Sequence, residues 1–516
     1  MWLEIELNAF KVRYDGFIVR TSAENTLYLS PGLSDLVSIA ALAEAERGIA
    51  IDINTRERHI VFGRDYLGQY PLLYVLSDSQ LFLSDDILLI DEWSKKNNVE
   101  RKLSEEAMAL YFSLGYVPQG MTVFDEVKSC KNVTLYHYKN HKITEENIFT
   151  PIAEKADHHV NDVADAINEE VKKISKNQKQ FDVWCSGGID SSVMAHCFSR
   201  DGVTADILTL GYDEETTAEF GDGEIQYASE MASYCQSPLR YAQLSSNDFL
   251  HLHHQFTRAH IGPVIDTCVI AKYALAQATK NSAITGEGGD PIFGGVKNTS
   301  VLFTHAQHPR LPLGWVYARA HFRFFDRLED IFVHGKDLSD YVVEYLGKKL
   351  DFYPGELLRK LFYLNTIEKQ GGMIFPQTYY PEKRSNISVH HPLTNLAVYK
   401  SAFQLNDNRR YVYPDGKLVL SQLFKNRIPR NIIERKKSGT IIPLDTFLKN
   451  MPSDYRDISE LGSSQYFNSD FLSQTNISEE ESSLLMYGFI SLNRWLHNRK
   501  GESDGRSISM SSCDMQ

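Results

Sequence analysis

Long apolar runs are missing from this 516-residue chain. None approaches the roughly 20 residues that cross a bilayer, and the opening Met1-Trp2-Leu3-Glu4-Ile5-Glu6 puts no basic segment ahead of an apolar one. Neither a membrane span nor a secretory signal is therefore expected, and the expected location is the cytoplasm. Cysteine is scarce: the six residues Cys130, Cys185, Cys197, Cys235, Cys268 and Cys513 show no C-x-x-C spacing, which argues against a zinc site or a disulfide framework. Positive charge is short as well. With 54 Lys and Arg against 67 Asp and Glu the net charge is −13, which argues against general nucleic-acid binding. No internal repeat stands out. What remains is the composition of a soluble globular chain too long for one core, so two or more domains are expected.

Two textures divide the chain. Up to about residue 150 short alternating segments dominate, among them Leu3-Ile5-Leu7, Phe17-Val19, Ile49-Ile51-Ile53, His59-Val61-Gly63, Leu72-Tyr74 and Leu81-Leu83, a pattern of strands and turns. From Val160 onward apolar runs at Phe181–Cys185, Asp206–Leu210 and Ala283–Thr285 alternate with longer helical patterns, which implies a parallel sheet with helices on both faces. The polar stretch 151–161 separates the two, giving expected domains at 1–155 and 160–500. The Ser-, Asp- and Gly-rich end, 501–516, lacks periodicity and is expected to be disordered.

The most informative stretch is Phe181-Asp182-Val183-Trp184-Cys185-Ser186-Gly187-Gly188-Ile189-Asp190-Ser191-Ser192. An apolar run stops at Ser-Gly-Gly and a helical pattern follows: a strand, a tight loop, then a helix. Gly187 and Gly188 let backbone approach an anion, Ser186 and Ser191 add hydroxyls, and a helix N-terminus favours negative charge. An acid at 190 beside a phosphate calls for a cation, so the loop reads as a polyphosphate site with Mg²⁺. The spacing is neither that of a Walker loop nor that of a dinucleotide fingerprint. It resembles the Ser-Gly-Gly-x-Asp-Ser loop of the ATP pyrophosphatases, which cleave ATP to AMP and pyrophosphate while adenylating a carboxylate.

The resemblance extends along the chain. Gly63-Arg64-Asp65-Tyr66-Leu67-Gly68-Gln69-Tyr70-Pro71-Leu72-Leu73-Tyr74 with Leu81–Asp86 is similar to the Arg-Asp-x-x-Gly-x-x-Pro-Leu-Tyr-Tyr hairpin of class II glutamine amidotransferases, and Leu103–Pro118 with Thr122-Val123-Phe124 to that family's end segment. The family's nucleophile is a cysteine at position 2. Here Trp2 stands there, and an indole supplies no thiolate, so a catalytically silent scaffold is expected. Beyond Ser186, a strand ending at Leu210-Gly211, a Glu224–Ala232 helix, Asp266 and then Gly286-Glu287-Gly288-Gly289-Asp290 follow the order of the asparagine synthetase superfamily.

That resemblance implies an α/β two-domain fold: an inactive, β-rich glutaminase-like sandwich of the Ntn type followed by a parallel-sheet ATP-pyrophosphatase domain of the adenine nucleotide α-hydrolase kind. It implies ATP contacts from Ser186, Gly187, Gly188, Asp190, Ser191, Leu210 and Gly286, Mg²⁺ held by Asp190 and Asp290, Glu287 as proton acceptor, and Lys437 of Arg435-Lys436-Lys437-Ser438-Gly439 stabilising charge on the α-phosphate. Two adjacent lysines alone read as a solvated face, so only register singles out Lys437 over Lys436. At Val389-His390-His391-Pro392-Leu393-Thr394-Asn395 the chain departs from the synthetases' Glu-x-Arg-x-Pro-Phe-Leu-Asp, which puts free aspartate in doubt as acceptor. Glu287 stands where β-lactam synthetases carry Tyr. With no ammonia source the amine must arrive with the substrate, and the resemblance is strongest to lasso-peptide cyclases of the microcin type. They join a precursor peptide's amino terminus to an Asp or Glu side chain and work with a leader-removing protease. The alternatives are an ammonia-dependent asparagine synthetase, a β-lactam synthetase-like enzyme and a silent assembly subunit. The run His251-Leu252-His253-His254 has no carboxylate or cysteine at ligand spacing, so it is not taken as a metal site.

Overall fold

Alternation in the first 150 residues builds two antiparallel sheets that share one apolar layer. The computed structural model describes residues 1–22, 24–33, 35–200, 202–214, 216–217, 224–321, 323–411, 417–435, 442–474 and 480–500, and among them the first sheet has the order β2-β1-β8-β7-β9. Its strands are β1 (Trp2–Glu6), β2 (Lys11–Asp15), β7 (Leu73–Leu76), β8 (Gln80–Ser84) and β9 (Val127–Ser129). The second has the order β11-β10-β6-β5-β4-β3, from β3 (Ile18–Thr21), β4 (Asn25–Leu29), β5 (Ile49–Asn54), β6 (His59–Arg64), β10 (Thr134–Lys139) and β11 (Lys142–Asn147). Leu3, Ile5, Leu81 and Leu83 of one sheet meet Ile51, Ile53, Ile60 and Phe62 of the other. The period of two that places these side chains inward sends Trp2, Phe82 and Val75 out through the opposite face. That face is covered too, because Phe82 stacks on Trp93 of the helix Ile87–Lys96 at 5.2 Å.

The second texture forms a parallel sheet of order β14-β13-β12-β15-β16, with β12 (Gln180–Trp184), β13 (Thr204–Tyr212), β14 (Leu239–Leu244), β15 (Ser282–Ile284) and β16 (Val389–His390). The chain adds β13 and β14 on one side of β12, then crosses to add β15 and β16 on the other. β12 and β15 therefore flank a topological switch point, where open α/β sheets leave a crevice at their carboxyl ends. Buried Asp182 in β12 fixes this pairing: it accepts the N–H groups of Lys280 (2.7 Å) and Asn281 (2.9 Å) ahead of β15 and pairs with Arg240 of β14. Residues 285–388 between β15 and β16 are largely helical, including Gly335–Phe352 and a π-helical turn at Leu364–Ile374.

Residues 151–159 carry neither strand nor helix, and the helix Val160–Asn177 opens the second half. The apolar core does not divide there. One cluster holds Trp2, Phe82, Tyr111 and Phe112 together with Tyr487 and Phe489 of the helix Glu480–His497, and the Tyr111 hydroxyl donates to the Gly488 carbonyl at 2.8 Å. Arg47 and Glu382 add an ion pair across the seam at 2.6 Å. Strands β2, β4 and β9 to β11 were not among the sequence expectations, and β13 runs on to Tyr212, so Leu210 lies inside the strand, paired with Ala242, rather than at its end. Residues 501–516 lie outside the described residues. No described helix is long and apolar enough to cross a membrane.

Candidate active site

The loops after β12 and β15 lie on each other at the switch point, and two glycines make the contact possible. A Cβ on residue 286 would sit 2.5 Å from the Ser191 nitrogen and 2.6 Å from the Asp190 carbonyl carbon, and one on residue 289 would meet the Asp190 carboxylate at 2.1 Å. Real Cβ atoms essentially never come within 3.0 Å of a heavy atom, so a side chain at either position would force its neighbours to shift. In the first loop Gly187 adopts φ +70°, and its Cβ would strike Tyr227 at 2.1 Å, whereas a Cβ on residue 188 would meet nothing nearer than the Ser186 hydroxyl at 3.5 Å. The two glycines of the motif thus differ: one is demanded by helix packing and backbone angle, and the other leaves room at its Cα. Gly188 caps the helix Ile189–Phe198, whose N-terminal partial charge faces the crevice side of β12. The Ser191 hydroxyl donates to the Gly188 carbonyl at 3.1 Å and the Ser186 hydroxyl accepts the Gly188 N–H at 3.4 Å. Their first role in the structure is to hold the loop's shape.

The two expected metal ligands converge. Asp190 and Asp290 both reach one cation, the ammonium of Lys417, which lies against Asp190 and 2.7 Å from Asp290 Oδ1. Burial opposes that charge, but the two carboxylates outweigh it and hold the Lys417 pKa above its ordinary value. A second cation closes the first loop. Arg435 donates to the Ser186 carbonyl at 3.1 Å, pairs with Glu224 at 3.0 Å and stacks its guanidinium 4.0 Å from the centre of the Tyr227 ring. Lys437, along with Lys436, lies outside the described residues.

Two carboxylates focused on one point, with polyphosphate oxygens to complete the shell, are a donor set suited to Mg²⁺. Asp190 Oδ1 is buried and accepts no hydrogen bond from the described residues, leaving it an oxygen able to act as a ligand. These residues fit the group. ATP fits on the same grounds: a switch-point crevice, a glycine loop at a helix N-terminus, and Lys417 and Arg435 to meet phosphate charge.

Glu287 stands at the other side of the second loop and is paired rather than free. Its Oε1 lies 2.7 Å from Lys272 Nζ, a buried ammonium that also donates to Gln377 at 3.3 Å. The divergent segment after β16 forms the adjoining wall. His391 is buried, hydrogen-bonds Thr285 at 2.7 Å and packs its ring on Phe375, and burial holds its pKa far below the usual imidazole range. It is a neutral wall residue. Asn395 caps the helix Leu396–Gln404 and donates to Glu46 and Glu170. Lys417 and Lys272 escaped the sequence reading because isolated lysines carry no motif and read as solvated side chains. His253 is hydrogen-bonded to Tyr455 (2.9 Å) and Ser491 (3.0 Å), which places it in the core.

In the amino-terminal half, Trp2 is 5% exposed and stacks on Phe82 with ring centres 6.1 Å apart. Cys130 is fully buried, and burial pushes its thiol pKa well above the ordinary value, the opposite of what a nucleophilic cysteine needs.

The model of the asparagine synthase family matches residues 162–497, which contain both loops, Glu287 and Lys417. The chain belongs to the asparagine synthase family. Members of the family are AMP-forming, ATP-dependent ligases. Among curated proteins it is similar to asparagine synthetase [glutamine-hydrolyzing] 1 of Bacillus subtilis, with 21% identity over 462 residues, 81% of this chain and 71% of the relative. It also resembles the putative asparagine synthetase [glutamine-hydrolyzing] 2 of Methanocaldococcus jannaschii, 21% identical over 260 residues, which span 48% of this chain and 49% of the relative.

Proposed function

We propose that this family member is a macrolactam synthetase: it adenylates an Asp or Glu side chain of a precursor peptide, releasing pyrophosphate, and closes the ring with that peptide's own α-amine, releasing AMP, as lasso-peptide cyclases do. The observation that carries the choice of acceptor is Trp2. Position 2, where the resemblance puts the glutaminase thiol, holds an indole stacked in the core, and Cys130 is sealed away. A half without a glutaminase nucleophile supplies no ammonia, so the amine comes with the peptide. Holding both ends of one molecule replaces a bimolecular encounter and lowers the entropic part of the barrier.

Each residue then has a task. The helix N-terminus at Gly188, with Lys417 and Arg435, binds the polyphosphate, and Asp190 and Asp290 hold Mg²⁺, which when bound neutralises phosphate charge. Lys437 meets the charge that builds on the α-phosphate. Glu287, oriented by Lys272, accepts the proton of the attacking amine. By the Glu-x-Arg-x-Pro register His390 stands where the synthetases place an arginine, and burial lowers its pKa to about 4, so this position offers no cation to a free amino acid's carboxylate and favours a peptide. A precursor peptide and a leader-removing protease are the partners this reading requires.

The purified protein, the protease and a precursor peptide encoded nearby are incubated with ATP and Mg²⁺ and followed by mass spectrometry. The expected product is a core peptide lighter by one water, with the link between its amino terminus and an acidic side chain. Efficient conversion of aspartate and ammonia to asparagine, with the peptide left linear, would replace this reading by that of an ammonia-dependent synthetase.

A further inference from the structure

Lys417 is 227 residues from Asp190 in sequence, yet both its side chain and its backbone are tied to the acid pair. Its ammonium bridges Asp190 and Asp290, its side chain is 8% exposed, and its N–H donates to the Phe293 carbonyl at 3.2 Å, at the end of the short helix Gly289–Phe293 that carries Asp290. The residue adopts φ +45°, a left-handed conformation uncommon for lysine. The surrounding structure thus specifies that the ammonium sits between the carboxylates.

A metal ion touching both carboxylates lies about 2.1 Å from each oxygen. That is the ground the ammonium holds, at 2.7 Å from Asp290 Oδ1 and in contact with Asp190. Two cations cannot share that point, because they would repel one another at contact in a site poorly screened by water. Resting on the metal pairing proposed above, we infer that the Lys417 ammonium and a divalent cation are alternative occupants of the Asp190–Asp290 pair. Lys417 closes the pair to metal alone, and metal enters once a polyphosphate offers the ammonium another anion. Lys417 is in this respect a positioning residue that sets the order of binding.

Manganese binding, read from the paramagnetic signal of the free ion, tests this without turnover. Wild type, K417M, K417R and D190N are each titrated with Mn²⁺, alone and with a non-hydrolysable ATP analogue. With Mn²⁺ alone, K417M is expected to bind about tenfold or more tighter than wild type or K417R, and the analogue is expected to narrow that gap. After EDTA treatment K417M should melt below wild type and recover with Mn²⁺. A K417M chain that folds only with the metal is the same result in extreme form. Equal affinity of wild type, K417R and K417M for Mn²⁺ alone overturns the inference while leaving the metal pairing intact. D190N binding Mn²⁺ with the analogue as tightly as wild type overturns the pairing itself.

Discussion

The two halves of the molecule keep their acids for different purposes. In the amino-terminal sandwich, buried Asp65 accepts backbone N–H groups from Gly48, Gln69 and Tyr70 at 2.8–3.1 Å, and buried Asp85 gathers the Met1 amine at 2.6 Å, Lys383 at 3.1 Å and the Tyr379 hydroxyl. Those carboxylates are consumed by the fold. At the carboxyl ends of β12 and β15, by contrast, Asp190 and Asp290 point together at one cation, and Gly286 and Gly289 let the second loop pack directly on Asp190. A group satisfied by backbone donors needs no ligand, whereas like charges brought together need a cation to persist. The first half reads as scaffold and the second as the seat of chemistry.

The sharpest way to break that contrast is at Asp190. Asp190→Asn leaves polyphosphate charge less compensated and should lower substrate-dependent AMP formation by about 10³ or more. Because Lys417 then loses one of its two carboxylates in a buried setting, the melting curve should fall too, by about 1–3 kcal/mol. AMP release close to wild type would remove the chemistry from this half. Next in size is a pair of glycine substitutions. Gly286→Ala drives a Cβ into the Ser191 backbone and should cost about 100-fold in AMP formation through displaced loops. Gly188→Ala, with 3.5 Å to its nearest neighbour, should be tolerated. Equal damage from both would mean that the loop's contacts with ligand, not its packing, demand glycine.

Much of this site was legible because its chemistry is written in short motifs. Ser186, Gly187, Asp190, Gly286 and Asp290 sit in two glycine-rich loops, and the strands before them announce themselves as apolar runs. In the sandwich, the alternation Ile49-Ile51-Ile53 spells out strand β5. Strand β11, Lys-Ile-Thr-Glu-Glu-Asn, is largely exposed and carries no apolar period, so pairing with β10 rather than burial makes it a strand. Lys417 and Lys272 were illegible for another reason: their meaning lies in partners brought close only by the fold, and no local pattern marks a lysine that bridges two distant acids.

The scaffold half predicts effects on stability without effects on chemistry. Trp2→Ala opens a cavity against Phe82 and should cost about 3 kcal/mol of stability, while AMP formation by the folded fraction stays at the wild-type level. Glutamine should yield no glutamate above the buffer background with wild type or with Cys130→Ser. Glutamate released by wild type and lost in Cys130→Ser would turn the scaffold into a catalyst and undo the contrast.

The smallest expected effect lies on the seam between the halves. Glu170, on the helix Val160–Asn177, faces Glu46 of the sandwich and Lys173 of its own helix, and accepts a hydrogen bond from Asn395 at 2.7 Å. Burial, with Glu46 adding and Lys173 opposing, pushes its pKa up from the ordinary 4.5 to about 7. A carboxyl that holds its proton more tightly folded than unfolded contributes stability that is complete below the ordinary value and lost as pH rises through about 7. Glu170→Gln stays neutral and still offers Asn395 an acceptor, so it keeps that contribution at every pH. The variant should match wild type at pH near 4 and exceed it at pH near 8 by about 1 kcal/mol, a figure discounted for the water that reaches this half-buried site. Urea midpoints at the two pH values measure the difference. Parallel shifts at both would mean that Glu170 holds its proton no more tightly in the folded chain than in the unfolded one and that its titration does not bear on the seam.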